Sequence, residues 1–148
     1  MTETAPPDDV ETWQEWAMYY GNRLRQMLLS HRDGARMMSG TYLTDTSLYE
    51  PMEQALKRFT GAGFSLQDAV VALSTIYSYA IGFVIEEQAV YPQRGKRNPQ
   101  YDLAKRAKRI DADKLPLAVA AGETLFTSYD ERFGKGLQLI VRGMQPGS

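Results

Sequence analysis

Chemistry in this 148-residue chain has to be done without thiols. It contains no cysteine, which removes disulfides, thiol nucleophiles and zinc–thiolate sites together. Its one histidine, His31, stands in the run His31-Arg32-Asp33-Gly34-Ala35-Arg36, so a Ser/His/Asp triad would have to be built on that imidazole alone. His-Arg-Asp also opens a protein-kinase catalytic loop, but the downstream asparagine and the glycine-rich loop are missing and the chain is far too short. Between Ser30 and Arg32, His31 reads instead as a cation at a helix C-terminus. One histidine and scattered carboxylates lack metal-ligand spacing, so neither a metal nor a cofactor is expected. Proton transfer remains, with Glu86, Asp33, Tyr77 and Tyr20 as acid/base groups retuned by burial. Nothing in their spacing demands catalysis, and binding without chemistry is the preferred reading.

A second constellation is electrostatic. Residues 94–109 hold seven Lys/Arg (94, 96, 97, 105, 106, 108 and 109) against one acid, Asp102, with Tyr91 and Tyr101 flanking them. Such a run could follow a phosphate backbone. The plainer reading, a solvated loop leading into a short charged helix, is preferred. The net charge of −1 gives the molecule as a whole no strong pull toward nucleic acid or anionic lipid.

The elements that must position these residues are all helical. Residues 1–9 read as a flexible, acidic lead-in with Pro6 and Pro7; it has no apolar segment of a secretory signal, and a cytoplasmic location is expected. From 10 to 30, Trp13, Trp16, Ala17, Tyr20, Leu24, Met27 and Leu28 recur every three or four residues, with Gln14, Glu15, Asn22, Arg23, Arg25 and Gln26 opposite. The aromatic first half is read as core packing before ligand wall. A helix over 47–60 tolerates Pro51 in its first turn and is stopped by the glycines at 61 and 63. Ser65 and Asp68 then cap a helix whose residues 69–85 carry no formal charge. That run is at the lower edge of bilayer-spanning length, and with Ser74, Thr75, Tyr77, Ser78, Tyr79 and Gly82 inside it, a central helix buried on most faces is preferred. Helices over 114–125 and 129–144 follow, the last capped by Thr127–Ser128. Its glycines 134, 136 and 143 would be costly unless another helix packs closely there. No strand pattern occurs, so the chain is read as all-α, with one domain over 10–148.

Five blocks point to a family: Leu28-Leu29-Ser30-His31-Arg32-Asp33-Gly34-Ala35-Arg36, Gly40-Thr41, Gly63-Phe64-Ser65-Leu66, Glu86-Glu87-Gln88 and Val141-Arg142-Gly143. Together they closely resemble the C-terminal domain of the tetracycline repressor family, from Trp13 to the C-terminus. The resemblance implies a ligand-sensing and dimerising domain whose helices over 65–90 and 129–144 pair with their symmetry mates in a four-helix bundle. Two departures shape the functional expectation. The family's helix-turn-helix reading head has no counterpart here, so direct DNA binding by this chain is not expected. The drug-binding pattern is also largely replaced. Met38 stands for the metal-ligating histidine, Tyr20 for the asparagine that holds the drug, Leu24 for a phenylalanine, Ala55 for a glutamine and Ser78 for a second histidine; Thr41 and Glu86 match. A thioether is a poor ligand for Mg²⁺. The resemblance therefore implies a pocket formed by Trp16, Tyr20, Leu24, Met38, Thr41, Met52, Ala55, Leu56, Leu73, Tyr77, Ser78 and Glu86, taking a small hydrophobic or aromatic ligand. Two alternatives stay open. One is a stand-alone cyclase or isomerase acting on a polyketide-like substrate; the other is an antagonist that heterodimerises with a full-length regulator.

Overall fold

Helix α1 (Trp13–Leu29) begins where the sequence supplies a complete cap. In this computed structural model, which describes residues 12–38, 46 and 49–147, the Thr12 hydroxyl accepts from the Glu15 N–H and the Glu15 carboxylate accepts from the Thr12 N–H, both at 3.2 Å. That exchange satisfies two donors that a helix start otherwise leaves open. The expected lead-in, the Gly40-Thr41 block and the expected helix start at 47 lie outside the described residues.

The chain leaves α1 through Asp33, at φ 57°, and enters α2 (Gly34–Met38). A Cβ on Gly34 would stand 2.1 Å from the Leu28 carbonyl oxygen, which accounts for a glycine at this point of the His-Arg-Asp-Gly block. Helix α3 (Tyr49–Gly61) ends as the glycines predict: Gly63 takes φ 102° and the Phe64 N–H reaches back to the Phe59 carbonyl at 3.1 Å. Ser65 then caps α4 (Leu66–Val90), its hydroxyl accepting the Asp68 N–H at 3.0 Å. Beyond it come a 3-10 turn at Pro99–Tyr101, which the sequence reading did not anticipate, and then α5 (Leu103–Lys108), α6 (Pro116–Phe126) and α7 (Tyr129–Gly143). The expected Thr127–Ser128 cap is not made. Ser128 is left-handed at φ 52°, outside the extended conformation a capping residue needs, and the Thr127 hydroxyl donates back to the Glu123 carbonyl. Among the described residues there is no strand, only an isolated bridge between Gln93 and Lys96, so the fold is all-α.

Helix α4 is the hub. α1, α2, α3 and α7 all pack on it, and Ala69, Ala72, Leu73, Ile76, Ala80 and Val84 point into that core. Phe59 fills the far end, fully buried among Trp13, Trp16 and Phe64 at centroid separations of 6.1, 5.7 and 5.2 Å. The sequence reading expected α4 to be buried on most faces. Within one chain it is not: only 39% of its most apolar stretch is buried, because the four neighbours cover one side. Leu66, Val70 and Val71 on the other side are exposed. α5 and α6 form an outlying hairpin. α6 is apolar along most of its length, yet Leu117 is 83% exposed.

Candidate functional site

The residues expected to line a ligand begin on α1. Trp16 stacks on Tyr20 one turn later, with centroids 5.3 Å apart and planes 5° from parallel. Leu24, Ala55 and Leu73 are buried in the same cluster, and Met38, Leu56 and Tyr77 pack half-buried against it. The Tyr77 hydroxyl donates to the Met38 carbonyl at 3.2 Å, tying α4 to α2. The structure thus brings together eight of the twelve expected wall residues. Met52 is half-buried outside that cluster, and Ser78 and Glu86 are exposed. Thr41 lies outside the described residues.

The four acid/base candidates do not converge. Tyr20 and Tyr77 flank the core, whereas Asp33 and Glu86 are exposed. Helical geometry explains the split on α4, since nine residues at about 100° each carry Glu86 to the side opposite Tyr77. Among the described residues no group of three or more His, Asp or Glu could hold a metal.

The inward carboxylate is the neighbour, Glu87. Arg25, placed on the polar side of α1 by the sequence reading, is in fact 8% exposed and grips it. Its Nε and Nη2 donate to the two Glu87 oxygens at 3.0 and 2.7 Å, and Nη1 donates to Asp130 on α7 at 2.7 Å. The guanidinium lies against the Phe83 and Phe133 rings, 5.7 and 5.2 Å from their centroids. Burial works against its charge, but the bonds from Glu87 and Asp130 outweigh that, and its pKa is raised. Periodicity assigned Arg25 to the wrong face because it follows Leu24 and precedes Leu28 by three, at the margin of the apolar stripe. The available signal was Glu87 itself, a charge inside the last turns of an otherwise apolar helix.

Next to this clamp, the Tyr79 ring stacks on Phe133 at 5.0 Å and its hydroxyl donates to the Phe133 carbonyl at 3.0 Å. Burial pushes the Tyr79 and Tyr129 phenols up, with Arg132 opposing in both cases. A Cβ on Gly136 would stand 2.1 Å from the Tyr79 hydroxyl oxygen, so this glycine serves a contact inside the chain. Gly134 and Gly143 have nothing within 4 Å of such a Cβ. Two clefts lie apart from the wall, one of about 320 Å³ beside α2 and the end of α4, and one of about 110 Å³ between Tyr101 and Phe126. Of the expected pocket and acid/base residues only Asp33 lines either of them, while Tyr101, Lys105, Arg106 and Arg109 of the basic run line the smaller.

This arrangement, a long helix wrapped by three others and clamped to a terminal one, is a fold of helical transcriptional regulators. The chain superposes on apo ActR of Streptomyces coelicolor with a TM-score of 0.73, over 96% of this chain and 67% of that one, at 22% identity. It also superposes on a possible TetR family transcriptional regulator from Streptomyces coelicolor A3(2) with a TM-score of 0.75, over 94% of this chain and 66% of that one, at 30% identity. The class A tetracycline repressor protein from transposon 1721 of Escherichia coli is 33% identical over 144 residues, 97% of this chain and 62% of that protein. The profile of the tetracyclin repressor-like C-terminal domain matches residues 5–146. The chain belongs to that family, and it spans less than two thirds of the length of the class A relative.

Proposed function

We propose that this chain is the ligand-binding and dimerisation domain of a repressor-type regulator, working in the cytoplasm and answering a small hydrophobic or aromatic molecule. The uncovered face of α4 carries the reading. Val71, Ser74, Ser78 and Gly82, spaced by three or four, are all exposed and lie within about 80° of one another around the helix. They make one stripe along a helix that is otherwise apolar, with small residues at its middle where a second helix could approach closely. On α7, exposed Leu139 and the open Gly143, one turn apart, offer a matching surface. Pairing 65–90 and 129–144 with their symmetry mates would cover both in a four-helix bundle, and a homodimer is the economical closed form. Reading DNA is not assigned to these residues.

The ligand would sit against Tyr20, Met38, Leu56 and Tyr77. The class A relative is named for tetracycline. With Met38 and Tyr20 in this wall, a flat apolar molecule held by few hydrogen bonds fits better than a metal-chelated drug. Binding would bias the tilt between paired subunits by population shift.

Light scattering on the purified chain should give twice 16.7 kDa at micromolar concentration, and a monomer there would remove the bundle. Planar aromatic compounds screened by thermal shift should then yield a binder whose affinity drops roughly tenfold in Tyr20→Ala and in Met38→Ala, as loss of a good wall contact does. Unchanged affinity in both variants would move the pocket elsewhere.

A further inference from the structure

We propose a second binding site, separate from the aromatic wall, for a planar organic anion bearing a phosphate or carboxylate. It is formed by the two clefts, which are neighbours sharing Gln100 and Tyr101 as a common partition. The larger, at about 320 Å³, is in the range of small-molecule sites, roughly 300–1,000 Å³.

Charge is the first observation. Arg32 and Arg36 line the larger cleft, and Lys105, Arg106 and Arg109 line the smaller. Asp33 is the one carboxylate in either lining. It reaches Arg32 only at 3.9 Å with both side chains exposed, a contact that neutralises little. Arg36 and Arg109 form no ion pair among the described residues, and Arg106 is turned to the Ala118 carbonyl at 3.1 and 3.2 Å. The concentration is a property of the segment. Residues 93–126 hold eight Lys/Arg against four Asp/Glu, net +4, which leaves −5 for the rest of a chain whose total is −1. Cations gathered against that background make a local field suited to an anion.

The second observation is an orphan acceptor. Gln88 lines the larger cleft and donates through Nε2 to the His31 carbonyl at 2.9 Å, while its Oε1 is buried without a hydrogen-bond partner. A buried acceptor left open is costly. The third is aromatic lining: Tyr101 and Phe126 both line the smaller cleft, their rings 5.9 Å apart and tilted by 52°, with the Arg106 guanidinium 5.4 Å from the Phe126 centroid. Arginine forks for an oxyanion and the Tyr101 ring for an aromatic body together describe one ligand class. None of Tyr20, Met38, Leu56 and Tyr77 lines either cleft, so the site stands whether or not the aromatic wall binds anything.

Phenyl phosphate titrated into the isotope-labelled full chain, followed by amide NMR shifts, tests the proposal, with phenol as the neutral control. Shifts should centre on residues 32–36, 88 and 98–109, and phenol should leave them unmoved. Arg36→Ser with Arg109→Ser, both on exposed side chains, should weaken binding by about tenfold or more, as loss of charge-assisted bonds does. Binding should also fall as salt is raised from about 50 to 300 mM. Shifts centred on residues 16–24 and 55–77, or an affinity indifferent to the double variant, would overturn the site.

Discussion

Replacing Arg25 by methionine is expected to cost about 3–5 kcal/mol of folding stability, the usual consequence of leaving one half of a buried ion pair behind. Glu87 is 9% exposed and takes both its strong bonds from Arg25. Without the guanidinium its carboxylate would lose both of those bonds while staying buried. For a domain of this size 1 kcal/mol moves the melting temperature by roughly 2–4 °C, so the drop should be of order 10 °C. Two companions fix the interpretation. Arg25→Met combined with Glu87→Leu should recover most of the loss, since an apolar replacement of a buried pair is often neutral. Asp130→Asn should stay within about 0.5 kcal/mol, because the Asp130 side chain is 96% exposed. Urea unfolding of the three variants checks the pattern. A near-neutral Arg25→Met would show that Glu87 is reached by water and is not part of the core.

The other large effect is on assembly. Gly82→Arg should convert the proposed dimer into a monomer while leaving the helix intact. Gly82 is exposed in mid-α4 and nothing lies within 4 Å of where its Cβ would be, so the chain by itself has room for the new side chain. Glycine inside a helix costs about 1 kcal/mol relative to a good helix former, so the isolated subunit should be no less stable. In a bundle built on the exposed side around Ser78 and Gly82, the long side chain would hold apart the two helices that small residues let approach, with a weakening of about a hundredfold or more. Light scattering should move from twice 16.7 kDa to 16.7 kDa at unchanged helical circular dichroism. A dimer that survives this substitution pairs through a different face.

What could be read from the sequence follows from which rules are local. The cap at Ser65, the stop at Gly63 and the periodicity of α1 are set by residues within one or two turns, and each element appears within a few residues of its expected bounds. The clustering of eight of the expected residues was legible because apolar spacing places them on the inward sides of their helices. Arg25 was not, since whether a long polar side chain at a stripe's edge turns in or out depends on partners 62 and 105 residues away. Ser128 failed for a related reason: its residue type suits a cap, but the backbone conformation is dictated by how α6 hands over to α7. Nor could periodicity say that the mostly apolar α6 would stand in the open, because α6 packs within its own hairpin on α5.

The same separations give the clamp a role in time. Bringing Arg25 to Glu87 closes a long loop, and bringing it to Asp130 closes a longer one, and because each bond also needs a fixed side-chain geometry we expect both to form after the apolar contacts between the same helices. Contacts formed after the rate-limiting step leave the speed of folding alone and govern how long the native state lasts. In a chevron experiment, Arg25→Met should therefore raise the unfolding limb and leave the refolding limb close to that of the parent chain. That outcome would make the buried guanidinium a latch on the lifetime of the fold.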